Sequence, residues 1–419
     1  MGHDTLLVQI FVINNMLLLR KEIMPAVLHF NKKVLLLCIL NLTVLTSCVP
    51  QPKHFGVILL SKNNVDSAFD LFRIPDNTQN KVEQLTFTPT VGEYYLFASK
   101  NGDRIIFQAV FNGMTFGSPD LKLEESHHIY ILDIASKKLN DITRIFTVPP
   151  ITSPMQVADW SPDGKQFAVI TYKGGLELMD FDGTNKRSIP IPPLGEAKPV
   201  IQDAKWSPDG KKLAVTESDL AQQASLEFSG DALLVYNLES GKSIQLASNL
   251  ENCGQPVWSP DSQQLVADCS FNNDVLGGPT ILRVFDTENP GQPYEHLVIY
   301  PCRDPSWSPD GKQIAFNCRK NQVDFNLTIP CYHNCASPWG VFITDSDGNG
   351  IRELKPKNLE SSVSIVNPIW SPDGTQIVYI ALTDDEHSKI YSVYPDGSNN
   401  RPLTNQEAFY NIVSVNPMP

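Results

Sequence analysis

The tetrapeptide Trp-Ser-Pro-Asp occurs five times in this chain of 419 residues, at Trp160, Trp206, Trp258, Trp307 and Trp370. Each copy is followed by a short apolar run, such as Leu213 to Val215, Leu265 to Ala267, Ile314 to Phe316 or Ile377 to Ile380. Pro sets φ for the first central position of a type I turn, Asp suits the second, and Gly supplies the left-handed residue that follows. In the Trp258 copy Ser262 stands where the others carry Gly, which predicts strain or an extra residue's length at that turn. The repeating unit is longer than the turn. A strand follows it, then a second such as Gly175 to Phe181 or Lys389 to Tyr394, then a polar turn and a third strand. The stretches from Ile129 to Thr143 and from Ile390 to Thr404 alternate apolar and polar residues around an Asn, Asp or Gly turn, the pattern of a hairpin. With the strand that ends at each Trp, every unit holds four antiparallel strands.

Successive Trp residues lie 46, 52, 49 and 63 positions apart, a spacing that suits propeller blades with variable loops and is too uneven for a solenoid. On these motifs the chain resembles the TolB-type propeller repeats, relatives in form of WD repeats that also occur in prolyl-oligopeptidase-like enzymes. The resemblance covers residues 55 to 415 and implies an all-β propeller of four-stranded antiparallel blades. Unlike TolB, the chain has no room for a separate N-terminal α/β domain. Two blades are degenerate. Ala98-Ser99-Lys100-Asn101-Gly102-Asp103-Arg104 stands where the Trp-Ser-Pro-Asp turn should be, and Phe55 to Ser61, Phe69 to Ile74 and Val82 to Thr86 read as three strands of a blade lacking its first. Tyr410 to Val415 can supply that strand, pairing the two ends of the chain and removing the exposed sheet edges. Seven blades are expected, with six as the alternative, and each Trp is expected to wedge between neighbouring blades.

The first 47 residues differ in kind. Val34 to Leu45 is apolar apart from Asn41 and Thr43 and follows Lys32 and Lys33. Such a run is short for a bilayer span, whereas basic residues ahead of about 7–15 apolar ones make a secretion signal. It ends in Leu45-Thr46-Ser47-Cys48, which resembles a bacterial lipobox and implies cleavage before Cys48 with a lipid on the new terminal cysteine. Residues 1–23 have no part in that scheme, so Met24 is a candidate start. The expected organisation is a signal peptide over 1–47, a lipidated tether over 48–54 and one propeller over 55–415. The tether would keep the body within about 20 Å of the membrane. Val49 lacks the Asp of an inner-membrane retention signal, so an outer-membrane anchor facing the periplasm is expected.

Without residues 1–47 the chain carries 29 basic and 44 acidic side chains, a net charge of −15. A surface of that sign repels phosphate backbones, and no basic stripe is present to release counterions, so nucleic acid is not an expected partner.

Beyond Cys38 and Cys48 six cysteines remain. Cys253 and Cys269 lie five before and eleven after Trp258, and Cys302 and Cys318 hold the same offsets from Trp307. Those positions fall on the paired first and second strands of two blades, where opposed Cα atoms come within disulfide range. Disulfides Cys253–Cys269 and Cys302–Cys318 are therefore expected, with Cys331–Cys335 as a third, local bridge. The alternative for the last pair is a metal site using Cys331, His333 and Cys335, but no fourth ligand is apparent.

Enzymatic signatures are sparse. Asp-Ser-Asp-Gly-Asn-Gly, from Asp345 to Gly350, lacks the Glu of a calcium loop, because Pro356 occupies its twelfth position; a hairpin turn is the better reading. His127-His128 after Glu124-Glu125 heads a strand. There is no Gly-x-Ser-x-Gly elbow, and Ser371-Pro372-Asp373-Gly374-Thr375 does not match a sialidase box. No metal or cofactor is expected. The long loops follow the second strands, on the face opposite the Trp-Ser-Pro-Asp turns, and carry or adjoin Phe111, Met114, Phe116, Phe228, Phe271, Phe325, Tyr332 and Trp339. Aromatic residues on variable loops suit protein recognition. The expected function is a lipid-anchored, non-enzymatic, monomeric interaction module that binds another envelope protein. The alternative is an exported hydrolase or carbohydrate-binding protein with carboxylates in the central channel.

Overall fold

The structure is a computed structural model that describes residues 55–417 apart from 63–68, 76–79, 87–90, 100–101, 112–126, 143–155, 172–173, 193–198, 220–230, 249–252, 255, 271–279, 290–297, 300–301, 320–337, 383–386 and 406–409. The expected signal peptide, Cys48 and the tether lie outside the described residues, as do Cys331 and Cys335.

Seven antiparallel sheets of four strands each make up the body. Six use consecutive strands: blade 2 runs from Val91–Ala98 to Lys138–Asp141, blade 3 from Gln156–Trp160 to Arg187–Ile189, and blade 4 from Pro199–Trp206 to Ser243–Ala247. Blade 5 runs from Val257–Trp258 to Val298–Ile299, blade 6 from Cys302–Trp307 to Arg352–Glu353, and blade 7 from Ser364–Trp370 to Arg401–Pro402. Blade 1 is assembled from both ends of the chain. Tyr410–Pro417 is its first strand, followed by Phe55–Lys62, Phe69–Ile74 and Glu83–Gln84, with Phe55 opposite Pro417 and Ser61 opposite Tyr410. The ring is thus a seven-bladed propeller, and the six-blade alternative falls away.

First strands of successive blades touch one another all the way round, which puts them innermost, facing the channel. Their channel-side edge is unpaired, and this accounts for Pro256, Pro305 and Pro368, each two residues before a Trp: proline is tolerated where no ladder hydrogen bond is donated. Pairing to the second strand slips at comparable places, between Ile201 and Asp203, Arg303 and Ser306, and Val366 and Ile369.

The core is divided among the interfaces between blades. Seven clusters of buried apolar side chains each span two adjacent blades. Trp206 packs on Ala158 and Leu178 of blade 3, Trp307 on Val266 and Val284 of blade 5, and Trp370 on Ala315 and Ile343 of blade 6. The wedge role expected of these residues is what the packing shows. The indole nitrogens of Trp258 and Trp307 add hydrogen bonds to Lys205 O at 3.0 Å and Val257 O at 3.1 Å on the preceding blade.

Each Trp-Ser-Pro-Asp turn is held by its serine. Ser161 Oγ donates to Asp163 at 2.7 Å and accepts the backbone N–H of Gln166 at 2.9 Å, and the same pair of bonds recurs at Ser207, Ser259, Ser308 and Ser371. The degenerate copy keeps half of the scheme: Ser99 Oγ accepts the backbone N–H of Arg104 at 3.0 Å, but it donates to Asp103, two positions beyond the motif's Asp, at 2.8 Å. Glycine follows because the position has positive φ, 76° at Gly210. Ser262 adopts φ 65° in a turn of the same length, so the expected lengthening does not occur. Its hydroxyl accepts the backbone N–H of Asp209 at 3.0 Å, a bond to the neighbouring turn that glycine could not form. Asp345 to Gly350 is a hairpin turn, in which Asp347 accepts the N–H of Asn349 at 3.0 Å.

Candidate functional site

The first strand of blade 6 descends from Cys302 to Trp307, and the second rises from Gln313 to Arg319, so residues 302–304 and 317–319 share the face opposite the Trp-Ser-Pro-Asp turns. Trp339 opens the third strand directly opposite Arg319. There two guanidinium groups lie over the indole, Arg303 at 4.3 Å and Arg319 at 4.5 Å from the ring centroid. The half-exposed Arg303 also meets Asp304 at 3.4 Å. Asp304 takes positive φ, 53°, which turns its carboxylate to accept Asn317 Nδ2 at 2.7 Å. Asn317 is fully buried, and its Oδ1 has no hydrogen-bond partner among the described residues. Burial raises the pKa of Asp268 on blade 5, with Asp304 adding to the rise and Arg303 opposing it. Burial also lowers that of Arg319, assisted by Arg303.

Two disulfides frame this corner. Cys302–Cys318 ties the first strand of blade 6 to the second with Cα atoms 4.4 Å apart, and in blade 5 Cys253–Cys269 ties the segment leading into the first strand, where the two cysteines form an isolated β-bridge, to the second at 4.0 Å. This is the pairing that the offsets from Trp258 and Trp307 lead one to expect. Arg303 and Arg319 are the residues next to Cys302 and Cys318 in the chain, so one covalent bond fixes both stacking partners of Trp339.

A second polar group lies on the first strands of blades 3 and 4. Asp159 accepts the backbone N–H of Trp160 at 2.9 Å and of Trp206 at 2.8 Å, joining adjacent blades. Lys205 Nζ donates to Ala158 O at 3.1 Å and pairs with Asp203 at 3.1 Å. Burial pushes the Asp159 pKa up to about 6 against the pull of Lys205. Higher on blade 4, Glu217 is fully buried, both its oxygens lack a partner among the described residues, and burial raises its pKa to about 7.

Of the loop aromatics expected to form a binding face, Trp339 is the one whose surroundings are defined. Phe111 ends the strand Arg104–Phe111. Met114, Phe116, Phe228, Phe271, Phe325 and Tyr332 lie outside the described residues. Arg303, Arg319, Asn317, Asp159 and Glu217 were not singled out by the sequence. Arginines adjacent to two cysteines of equal repeat offset were the available signal for the first two. Among the described residues no three His, Cys, Asp or Glu side chains converge as a metal site.

No protein-family model matches the chain, and no curated protein matches it. Among solved structures it is similar to one from a structural and mechanistic analysis of two prolyl endopeptidases, at 11% identity and a TM-score of 0.55, covering 87% of this chain and 50% of that one. It is also similar to an oligogalacturonate lyase in complex with manganese, at 14% identity and a TM-score of 0.52, covering 84% and 86% of the two chains. TolB from Acinetobacter baumannii is among the similar structures too, at 16% identity and a TM-score of 0.42, covering 85% and 80%. At these identities the likeness shows the fold alone, and a fold does not fix a function.

Proposed function

We propose that this propeller is a non-enzymatic, monomeric interaction module, exported and held in the bacterial cell envelope by a lipid on Cys48, with residues 1–47 removed and 48–54 as the tether. Its partner in this reading is another envelope protein, it faces the periplasm from the outer membrane, and it needs no metal or cofactor. The observation that carries the reading is the Arg303–Trp339–Arg319 stack on the long-loop face, locked by the Cys302–Cys318 bond. Arginine and tryptophan are the residue types most enriched among binding hot spots, and two disulfides suit an oxidising compartment. Cross-linking intact host cells that express the full-length protein, followed by purification in detergent, tests it. One abundant partner, lost on alanine substitution of Phe111, Phe116 and Phe228, is the expected result; a preparation with no partner overturns it.

A second reading is a propeller hydrolase or carbohydrate-binding protein with its site in the channel. It rests on Asp159, whose pKa is raised to about 6, and on the Asp203–Lys205 pair beside it. Activity on a glycan, lost in Asp203→Asn, would favour this second reading.

A further inference from the structure

We infer that the face carrying the Trp-Ser-Pro-Asp turns rests on phospholipid headgroups, with Phe181 and Tyr394 as its contacts, and that the long-loop face is turned away from the membrane. The inference rests on the lipid anchor of the reading above and adds which way the anchored propeller faces.

Strand polarity fixes where the chain enters the ring. In blades 4, 6 and 7 the first strand ends at the Trp and the second begins directly opposite it, Leu213 beside Trp206, Ile314 beside Trp307 and Ile377 beside Trp370. Phe55 likewise opens the second strand of blade 1 opposite Pro417, the last residue of the first. Blade 1 has the polarity of its neighbours. Asn80, between its third and fourth strands, donates to Asn405 of blade 7 at 3.2 Å, as Asn400 in the corresponding turn of blade 7 donates to Lys357 O of blade 6 at 3.0 Å. The chain therefore enters the propeller on the Trp-Ser-Pro-Asp face.

Length then limits which surface can meet the bilayer. The six residues between Cys48 and Phe55 reach about 20 Å when fully extended. The eight-residue strand Phe55–Lys62 rises about 3.3 Å per residue, so the long-loop face lies about 26 Å away, and a chain passing outside the two outer strands needs about 10 Å more. Only the Trp-Ser-Pro-Asp face and the outer edge of blade 1 come within reach. Exposed aromatic side chains select the face. Phe181 is 45% and Tyr394 38% exposed, and each follows a third strand at this end of its blade. The Phe181 N–H donates to Lys165 O at 2.9 Å, which sets that residue beside the Trp-Ser-Pro-Asp turn of blade 3. Aromatic rings settle at the headgroup level of a bilayer. Charge does not supply the contact, because the net −15 of the chain without residues 1–47 is repelled by anionic lipid.

The test uses full-length lipidated protein in vesicles of phosphatidylethanolamine and phosphatidylglycerol whose headgroups carry a nitroxide quencher. A fluorophore is attached at Lys165→Cys, an exposed position beside Phe181, or at Leu382→Cys, at the far end of a second strand. Unsubstituted protein put through the same labelling gives the background. The probe at position 165 should lose at least about twice as much fluorescence as the probe at position 382, since about 26 Å separates the two faces. Equal quenching at both positions, as edge-on attachment would give, overturns the inference, and so does stronger quenching at 382. Replacing Phe181 and Tyr394 together with Ser should weaken quenching at 165 without lowering the melting temperature. Unchanged quenching in that variant overturns the contact assigned to the two rings. Intact mass separates the inference from the reading beneath it. Lipidated protein with the reversed quenching pattern keeps the anchor and removes the orientation, whereas protein without lipid on Cys48 removes both.

Discussion

Replacing Glu217 with Gln should flatten the dependence of stability on pH between about 4.5 and 7. Glu217 is fully buried, neither carboxylate oxygen meets a donor among the described residues, and its pKa rises from an ordinary 4.5 to about 7. A carboxyl that binds its proton more tightly in the folded state contributes most stability below its unfolded pKa. That contribution is lost as pH climbs towards the folded value, and above it the loss is complete. Each pKa unit corresponds to about 1.4 kcal/mol, so the loss amounts to about 3 kcal/mol, or roughly 4 °C of melting temperature for a domain of this size. Gln has the shape of the protonated acid but adds N–H donors, which cost about 1–3 kcal/mol at every pH if they remain unpaired. The informative quantity is therefore the change in stability with pH. Urea unfolding with disulfides intact, at half-unit steps from pH 4.5 to 8, should show wild type losing stability relative to the variant up to pH 7 and running parallel beyond it. Parallel curves throughout would refute the reasoning and imply that Glu217 is solvated or paired.

Deleting residues after Ala408 removes the strand that closes blade 1, and the melting temperature should drop by more than about 5 °C; an unchanged melt would mean that the pairing of Phe55–Lys62 with Tyr410–Pro417 contributes little. Trp258→Phe should cost about 1 kcal/mol more than Trp206→Phe, because Trp258 Nε1 donates to Lys205 O whereas Trp206 Nε1 has no partner among the described residues. Denaturant midpoints compare the two, and equal losses would contradict the assignment. Alkylation followed by intact mass should find no free thiol among the six propeller cysteines before reduction; two free thiols would leave Cys331 and Cys335 unbridged.

The blade count, the strand pairing and the cysteine bridges were legible in the chain because they are properties of a repeat. A Ser-Pro-Asp turn carries its own φ preferences and its own serine hydrogen bonds, so five copies announce five equivalent places, and Ser99 still accepts the N–H of Arg104 where the Trp is lost. Equal offsets of Cys253 and Cys302 from their Trp residues put both bridges at the same place in the repeat. At Ser262 the strain expected of a non-glycine residue is present, with φ 65°, and what local turn chemistry does not contain is its compensation, a hydrogen bond from Asp209 on the adjacent blade, 53 residues away.

The candidate sites belong to the other category. Arg303, Arg319 and Trp339 are spread over 37 positions, and nothing in their spacing says that two guanidinium groups meet over one indole. Asp159 reads as the residue before a Trp until the ring brings the N–H of Trp206 within 2.8 Å of it. Glu217 sits in an ordinary second strand, and it is burial in the folded propeller that strips it of water and raises its pKa. Turn preference and strand alternation are local and repeat with the chain, so the sequence alone determined them. Burial, stacking and charge coupling depend on which blades become neighbours, and only the closed ring decided that.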